Sequence, residues 1–588
     1  MENKIKIGTA LFLGIVCLFA LTSAKLADDP LIAEWLREQR EPIPYQEDVF
    51  VTIRNGTIRG TTLLDPNNAT MYAFLGIPYA APPVGQLRFK PPQQYNGWGG
   101  EIRDGTQHPD ACAQFLTNVT IASEDCLFVS VYTKRRQGDG GALPVMFWIH
   151  GGGFLLGQTS YYTGKRLLAE DVVLVSVQYR LGPLGFLSSG NDGVIPGNNG
   201  MKDAVQALRW VQENIAAFGG DPNRVTVFGE SAGAASSIFM LTSPLARGLF
   251  HQVAAISGSS LAEWSMERNP VDTLTKVGAF LECDTSNTTT IHSCLMDMQW
   301  GLISQAHFYI LLEDQVANLR AILPGASIVI EEDVPGAFLI DEPLKIMESG
   351  NIPQVPVLLG ANQHEGSLLV GMAYVLKLAS SGVLDDPVYV RDHLIGDLLA
   401  TWDINENKNG ASMSQALSLG FLPGNPRTNF STFTYELIDM ISVVFLKAPI
   451  LRTADILSRK VPSVYLYSFE YYGEISLWNL VFRLVEELFG DLLPIPEFSG
   501  GITHADDIPY MFTMPLNATE ADLRFSKVWC ELFTNFATFG NPTPVATPDY
   551  EIWPKYTVEG ASYMQIGARS VAKTDYASSW RQGVPGEK

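Results

Sequence analysis

Short apolar runs alternating with helical patterns predict an α/β protein built on a large, mostly parallel sheet with helices on both faces. Two further observations support that class. The 588-residue chain has no repeat of 20–50 residues and no Pro/Ser-rich linker, so beyond its leader it reads as one large domain, 25–588. Its composition, 46% hydrophobic with 52 Gly and 35 Pro, supplies a large core and many turns. Disordered, coiled-coil and collagen-like chains are thereby excluded.

At the N-terminus, Lys4 and Lys6 precede an apolar run at 7–20, and Thr22-Ser23-Ala24 supplies small residues for cleavage. This is the pattern of a secretory signal peptide, 1–24, because the run is shorter than the ~18 apolar residues of a membrane span. A retained signal anchor is the alternative. No later segment reads as a transmembrane anchor, and the tail 583–588 has neither a hydrophobic anchor signal nor an ER-retention tetrapeptide. A secreted, extracellular protein is expected.

The first clear strand is Val145-Met146-Phe147-Trp148-Ile149, followed by the run at 172–177. Val205, Leu208, Val211, Ile215 and Phe218 then fall on one helical face. Val225-Thr226-Val227-Phe228 follows the turn signal Gly219-Gly220-Asp221-Pro222-Asn223, and the runs at 355–359 and 464–469 read as further strands.

With Cys17 in the leader, Cys112, Cys126, Cys283, Cys294 and Cys530 remain, an odd number that leaves at least one thiol without an intramolecular partner. The close pairs Cys112–Cys126 and Cys283–Cys294 would each close a short loop, one of three ways to pair four cysteines. Cys530 lies in an apolar helical stretch and reads as a buried, inert thiol. No CxxC motif or His-rich cluster suggests a metal site. Six sequons, at Asn55, Asn68, Asn118, Asn287, Asn429 and Asn517, are candidate glycosylation sites. A net charge of −22 argues against nucleic acid as a partner.

The chemistry concentrates at Gly229-Glu230-Ser231-Ala232-Gly233, directly after the strand at 225–228 and before the small, helix-compatible run 234–241. Such a strand-to-helix turn needs glycines where side chains would strike neighbouring elements, and it exposes the Ser231 hydroxyl near a helix N-terminus. His150-Gly151-Gly152-Gly153-Phe154 follows the strand at 145–149, where a glycine-rich turn lets amides converge on one oxygen with the N–H of Ala232. A flexible surface loop is the plainer reading. A phosphate cradle is excluded because no Lys-Ser/Thr pair follows the glycines.

A serine nucleophile needs a base and an orienting carboxylate, in the chain order nucleophile, acid, histidine. His504, in a loop-like segment far downstream, suits the base. His364 is its rival, although it immediately precedes Glu365 and the two could not face one another across a strand end. Glu365, just beyond the strand at 355–359, is the candidate acid, with a surface carboxylate as the bland alternative.

These residues resemble the type-B carboxylesterase/cholinesterase-like family of α/β-hydrolases over nearly all of the mature chain. Further matching segments are Phe74-Leu75-Gly76-Ile77-Pro78-Tyr79-Ala80, Leu87-Arg88-Phe89, Ser123-Glu124-Asp125-Cys126-Leu127, Tyr179-Arg180-Leu181-Gly182, Phe218-Gly219-Gly220-Asp221-Pro222 and Gly540-Asn541-Pro542. The resemblance implies an α/β-hydrolase fold. It implies Ser231, Glu365 and His504 as a catalytic triad, Gly152, Gly153 and Ala232 as oxyanion donors, and both short-loop disulfides. It also makes Ser257 a supporting serine and Glu230 a carboxylate at the base of the gorge, and it calls for no cofactor.

Departures from the family pattern narrow the substrate. The loop from Cys112 to Cys126 is short and lacks the tryptophan that seats choline in cholinesterases. A carboxylesterase for uncharged small-molecule esters is therefore expected rather than a true cholinesterase. Glu230 stands where juvenile hormone esterases often carry Gln, and the region 442–450 offers Cys530 no partner. Ala204 follows Asp203 where the family commonly has Gln; nothing in the sequence explains it. Trp478, Val481, Phe482, Val485, Leu488 and Phe489 form an amphipathic stretch that either walls the entrance or is an ordinary core-facing helix. A catalytically silent binding relative and a lipid-interface lipase are the competing functions. The sequence specifies neither the physiological ester nor an oligomeric state.

Overall fold

The computed structural model describes residues 47–581 except 116–121, 319–325, 380, 401–409, 423–428, 490–493 and 515. The leader 1–24, Cys17, the tail 583–588 and Asn118 therefore lie outside the described residues.

Fifteen strands are described: β1 Asp48–Ile53, β2 Gly56–Leu64, β3 Thr70–Pro78, β4 Ile102–Asp104, β5 Ala111–Cys112, β6 Ala122–Ser123, β7 Phe128–Thr133, β8 Leu143–Ile149, β9 Val173–Val177, β10 Gly220–Glu230, β11 Gln252–Ile256, β12 Val357–Asn362, β13 Val464–Phe469, β14 Tyr563–Ile566 and β15 Val571–Lys573. Thirteen of them form one sheet in the order β1-β2-β3-β7-β9-β8-β10-β11-β12-β13-β14-β15, with β4 on β2; β5 and β6 pair separately. From β9 through β14 every neighbour is parallel. The N-terminal strands β1, β2, β3 and β7 join it antiparallel.

Strand alternation divides the core in two. Val145, Phe147 and Ile149 of β8 face one cluster, while Met146 and Trp148 face the other. The first is closed by α1 (Asn199–Asn214) and α2 (Ala232–Thr242). The second is closed by a long C-terminal helix, Glu520–Phe539, through Phe525, Trp529 and Phe533. Burial on both faces is why these strands are continuous apolar runs. The expected face 205–218 is buried, with a 3₁₀ turn continuing it at Ile215–Phe218. No described helix is long and apolar enough to cross a membrane.

Two boundaries differ from expectation. Pro356 has no N–H to give a ladder, so β12 begins at Val357 rather than 355 and runs on to Asn362. The turn signal at 219–223 runs into β10, whose first residues 220–223 it supplies, and the register of β10 against β8 breaks between Gly220 and Val225.

Candidate active site

β10 ends at Glu230 and α2 begins at Ala232, so Ser231 alone turns the chain, with φ 57° and ψ −121°. That conformation costs a non-glycine residue ~1–3 kcal/mol and persists only where surroundings impose it. Here the constraint is close packing on the end of β8. A Cβ on Gly229 would sit 2.4 Å from the Ile149 carbonyl oxygen, and one on Gly233 2.0 Å from the same atom. The Ser231 amide donates to the Ile256 carbonyl at 2.9 Å, anchoring the turn to β11.

The glycine loop after β8 is held from both sides. Tyr179 Oη donates to the His150 carbonyl at 2.8 Å, and the His150 ring stacks on Tyr179 with 4.5 Å between centroids. Leu155 and Leu156 amides both donate to the Gly152 carbonyl, and Gly152 itself has φ 101°. Buried Gln114, from the first disulfide loop, donates to the Gly157 carbonyl at 3.0 Å and accepts the Gly157 amide at 3.2 Å. Among the described residues, the amides of Gly152, Gly153 and Ala232 donate to no protein acceptor.

Beyond β12, the acid loop carries Glu365, which is fully buried. Its Oε1 accepts from Ser257 Oγ at 2.5 Å and from the Asn362 amide at 2.6 Å. Ser257 follows β11 as Ser231 follows β10, also at positive φ, 56°. Glu365 Oε2 lies 2.6 Å from His504 Nδ1, and His504 Nε2 lies 2.9 Å from Ser231 Oγ. His364 instead accepts the Ile502 amide on Nδ1 at 3.0 Å, so it braces the histidine loop and does not reach Ser231. Asn362 Nδ2 donates to the Thr503 carbonyl at 2.8 Å and to Asp507 at 3.2 Å, joining the acid and histidine loops.

Glu230 Oε1 lies 3.2 Å from His504 Nε2. Burial pushes its carboxyl up to about 8, with Asp507 and Glu365 adding to the effect and His504 opposing it. Burial likewise raises Asp507 to about 7 and Asp506 well above the usual carboxylate range. Burial alone would depress the His504 imidazole. The carboxylates of Glu230, Glu365 and Asp507 and the Glu365 hydrogen bond overcome that and hold it above its ordinary value. The arrangement can take a proton from a serine hydroxyl and hold the resulting cation against a buried carboxylate.

The sequence pointed to Ser231, Glu365, His504, Ser257 and Glu230, and all five meet here. It did not single out Asn362, Asp507, Ser442, Phe445 or Lys447. The Asp506-Asp507 doublet after His504 and the one lysine in the apolar stretch 441–450 are the signals that were available. The close cysteine pairs form both disulfides, Cys112–Cys126 and Cys283–Cys294. Cys530 is buried and unpaired, with burial pushing its thiol up to about 12. Asn68, Asn287, Asn429 and Asn517 are exposed, whereas Asn55 is half-buried and donates its amide to the Tyr95 carbonyl at 3.0 Å. Trp478, Val481, Phe482 and Val485 are buried in a satellite cluster with Val375, the plainer of the two readings. The side chains of Leu488 and Phe489 lie outside the described residues.

Known proteins resemble this chain over most of its length. The carboxylesterase family model matches residues 47–581. A carboxylic ester hydrolase of Bombus ignitus is 33% identical over 501 residues, 83% of this chain and 84% of that one. The cocaine esterase of Homo sapiens is 32% identical over 573 residues, 91% of each chain. The juvenile hormone esterase of Tribolium castaneum is 32% identical over 523 residues, 84% of each. A match of this extent, on a sheet whose strand ends converge on a serine, a histidine and a glutamate, makes the chain a member of the carboxylesterase family and a carboxylic ester hydrolase.

Proposed function

We propose that the protein is a secreted serine carboxylesterase that cleaves uncharged carboxylic esters through Ser231, His504 and Glu365. The observation that carries this reading is the continuous relay from Ser231 Oγ to His504 Nε2, 2.9 Å, and from His504 Nδ1 to Glu365 Oε2, 2.6 Å. Ser231 Oγ attacks the ester carbonyl carbon as His504 Nε2 takes its proton. Glu365 keeps Nδ1 protonated and stabilises the imidazolium. The amides of Gly152, Gly153 and Ala232 receive the oxyanion, whose charge is stabilised by donors already fixed in place. The imidazolium returns its proton to the departing alcohol, leaving an acyl-Ser231. Water then repeats the attack with the same base, releasing the acid and restoring the serine.

The leader pattern at 1–24, the two disulfides and the exposed sequons support secretion and glycosylation. The named substrates of the relatives range from cocaine to juvenile hormone. The absence of tryptophan from the loop between Cys112 and Cys126 supports uncharged esters over choline esters. The test is hydrolysis of a short-chain and a long-chain aryl ester by the purified protein, with Ser231→Ala as control. Turnover that disappears in the variant, with an acyl adduct on Ser231 by mass spectrometry, is expected. Wild-type turnover that survives Ser231→Ala would overturn the reading.

A further inference from the structure

A buried lysine lies behind the acid loop. Two helices, α3 (Thr434–Ser442) and α4 (Ala448–Leu457), are joined without a break by a π-helical turn, Val443–Lys447. In an α-helix, residues five apart are rotated by ~140°. The i→i+5 bonding of a π turn brings such residues towards one face, and such turns recur at functional sites. Ser442 and Lys447 are five apart, and they grip the acid loop on either side of Glu365. Ser442 Oγ accepts the Gly366 amide at 2.8 Å, and Lys447 Nζ donates to the Gln363 carbonyl at 2.6 Å. Between them, the Phe445 ring packs edge-on against the His504 imidazole, 5.6 Å between centroids. One turn of helix thus touches both the acid loop and the base.

Lys447 is only 1% exposed. A buried ammonium is costly unless it is paired or hydrogen-bonded. Burial is the largest influence on it and lowers its pKa from the ordinary value, while Asp439 on α3, Glu365 on the acid loop and Glu470 after β13 favour the charged form. A methionine of similar length would fill the space without that cost, so packing alone does not account for a lysine here.

We propose that Lys447 is a positioning residue for the ester hydrolysis: its buried ammonium fixes the Gln363 carbonyl and supplies the fixed positive charge acting on Glu365, so that the Glu365–His504 pair stays aligned on Ser231. This rests on the triad reading above. The charge acts through Glu365, and the substrate does not touch it. A cation near the Glu365–His504 pair also holds the imidazole pKa lower than the surrounding carboxylates Glu230, Glu365 and Asp507 would otherwise set it.

The test compares Lys447→Met, Lys447→Gln and Lys447→Arg with wild type and Ser231→Ala. It follows kcat and KM for a short-chain aryl ester across pH, with melting temperature as a check on folding. Lys447→Met is expected to lower kcat about tenfold with KM changed less than about twofold, and to move the acid limb of kcat/KM up by roughly one pH unit. Lys447→Gln, which keeps a donor without the charge, should move the limb similarly, and Lys447→Arg should leave it in place. Limbs that coincide in wild type and both neutral variants would overturn the proposal, as would a fall in kcat without a limb shift. Should neither neutral variant fold, Lys447→Arg decides: it keeps the charge and should retain kcat within about threefold with the acid limb unmoved, and a folded Lys447→Arg protein whose limb is displaced would overturn the proposal. Activity surviving in Ser231→Ala would instead refute the triad reading on which the proposal stands.

Discussion

Replacing Glu365 by Gln keeps the shape of the buried side chain but gives it one acceptor where there were two. Three donors converge on the carboxylate: the Asn362 amide at 2.6 Å and Ser257 Oγ at 2.5 Å on Oε1, and His504 Nδ1 at 2.6 Å on Oε2. The Asn362 N–H is fixed by the backbone and cannot reverse, so the single amide oxygen must face it. The NH₂ group then points at His504 Nδ1, which must accept, and the ring proton moves to Nε2. At 2.9 Å from Ser231 Oγ, that nitrogen now donates where it has to accept. The base is lost without any change in fold, and kcat should fall by roughly 10³- to 10⁴-fold, or ~4–5.5 kcal/mol. The assay is steady-state hydrolysis of an aryl ester at neutral pH, paired with thermal unfolding. Activity within tenfold of wild type in a folded Glu365→Gln protein would refute the tautomer argument.

The folded-state pKa of Glu230 is raised from 4.5 to about 8, so the folded protein binds the extra proton between those values. Wild-type stability therefore falls as pH rises through that window by up to ~1.4 kcal/mol per unit, and Glu230→Gln should flatten the dependence in urea titrations at pH 5 and 8. Gly233→Ala places a methyl 2.0 Å from the Ile149 oxygen and should cost about 3 kcal/mol or more, read as a lower denaturation midpoint. Changing Cys112 and Cys126 together to Ser opens a 14-residue separation and should cost ~3 kcal/mol. Because Gln114 inside that loop holds Gly157, kcat at a permissive temperature should drop too.

What the sequence made legible follows from how each feature is encoded. The serine turn and the glycine loop are contiguous, because the same few residues create the close approach to Ile149 and meet its steric demand. The parallel strands β8, β9, β10, β12 and β13 were readable because both faces are buried and the runs are unbroken; the parallel strands β11 and β14 were not read. The outer antiparallel strands were not, since β1 buries only alternate residues and leaves Phe50 exposed. His504 was already favoured over His364, which adjoins Glu365, and the fold turns the one toward Ser231 and the other onto Ile502. The supports of the acid were the least visible. Lys447 meets Gln363 across 84 positions, Ser442 meets Gly366 across 76 and Asn362 meets Asp507 across 145. No local pattern records contacts of that kind.

The long insertion between β12 and β13 is a parallel crossover: it leaves β12 after Asn362, opposite Phe469, and re-enters at Val464, opposite Val357, one strand length away on the neighbouring strand. A chain segment that leaves and re-enters a sheet through adjacent strands can be exchanged without disturbing the strand order. That makes it a natural unit for grafting between relatives that prefer different esters. The grip of Ser442 and Lys447 on the acid loop sets the boundary of such a graft. A transplant that stops before Thr434 keeps the recipient's own support beneath its glutamate. One that continues through Leu457 imports a foreign support, and the recipient's Gln363 to Gly366 would have to be replaced along with it.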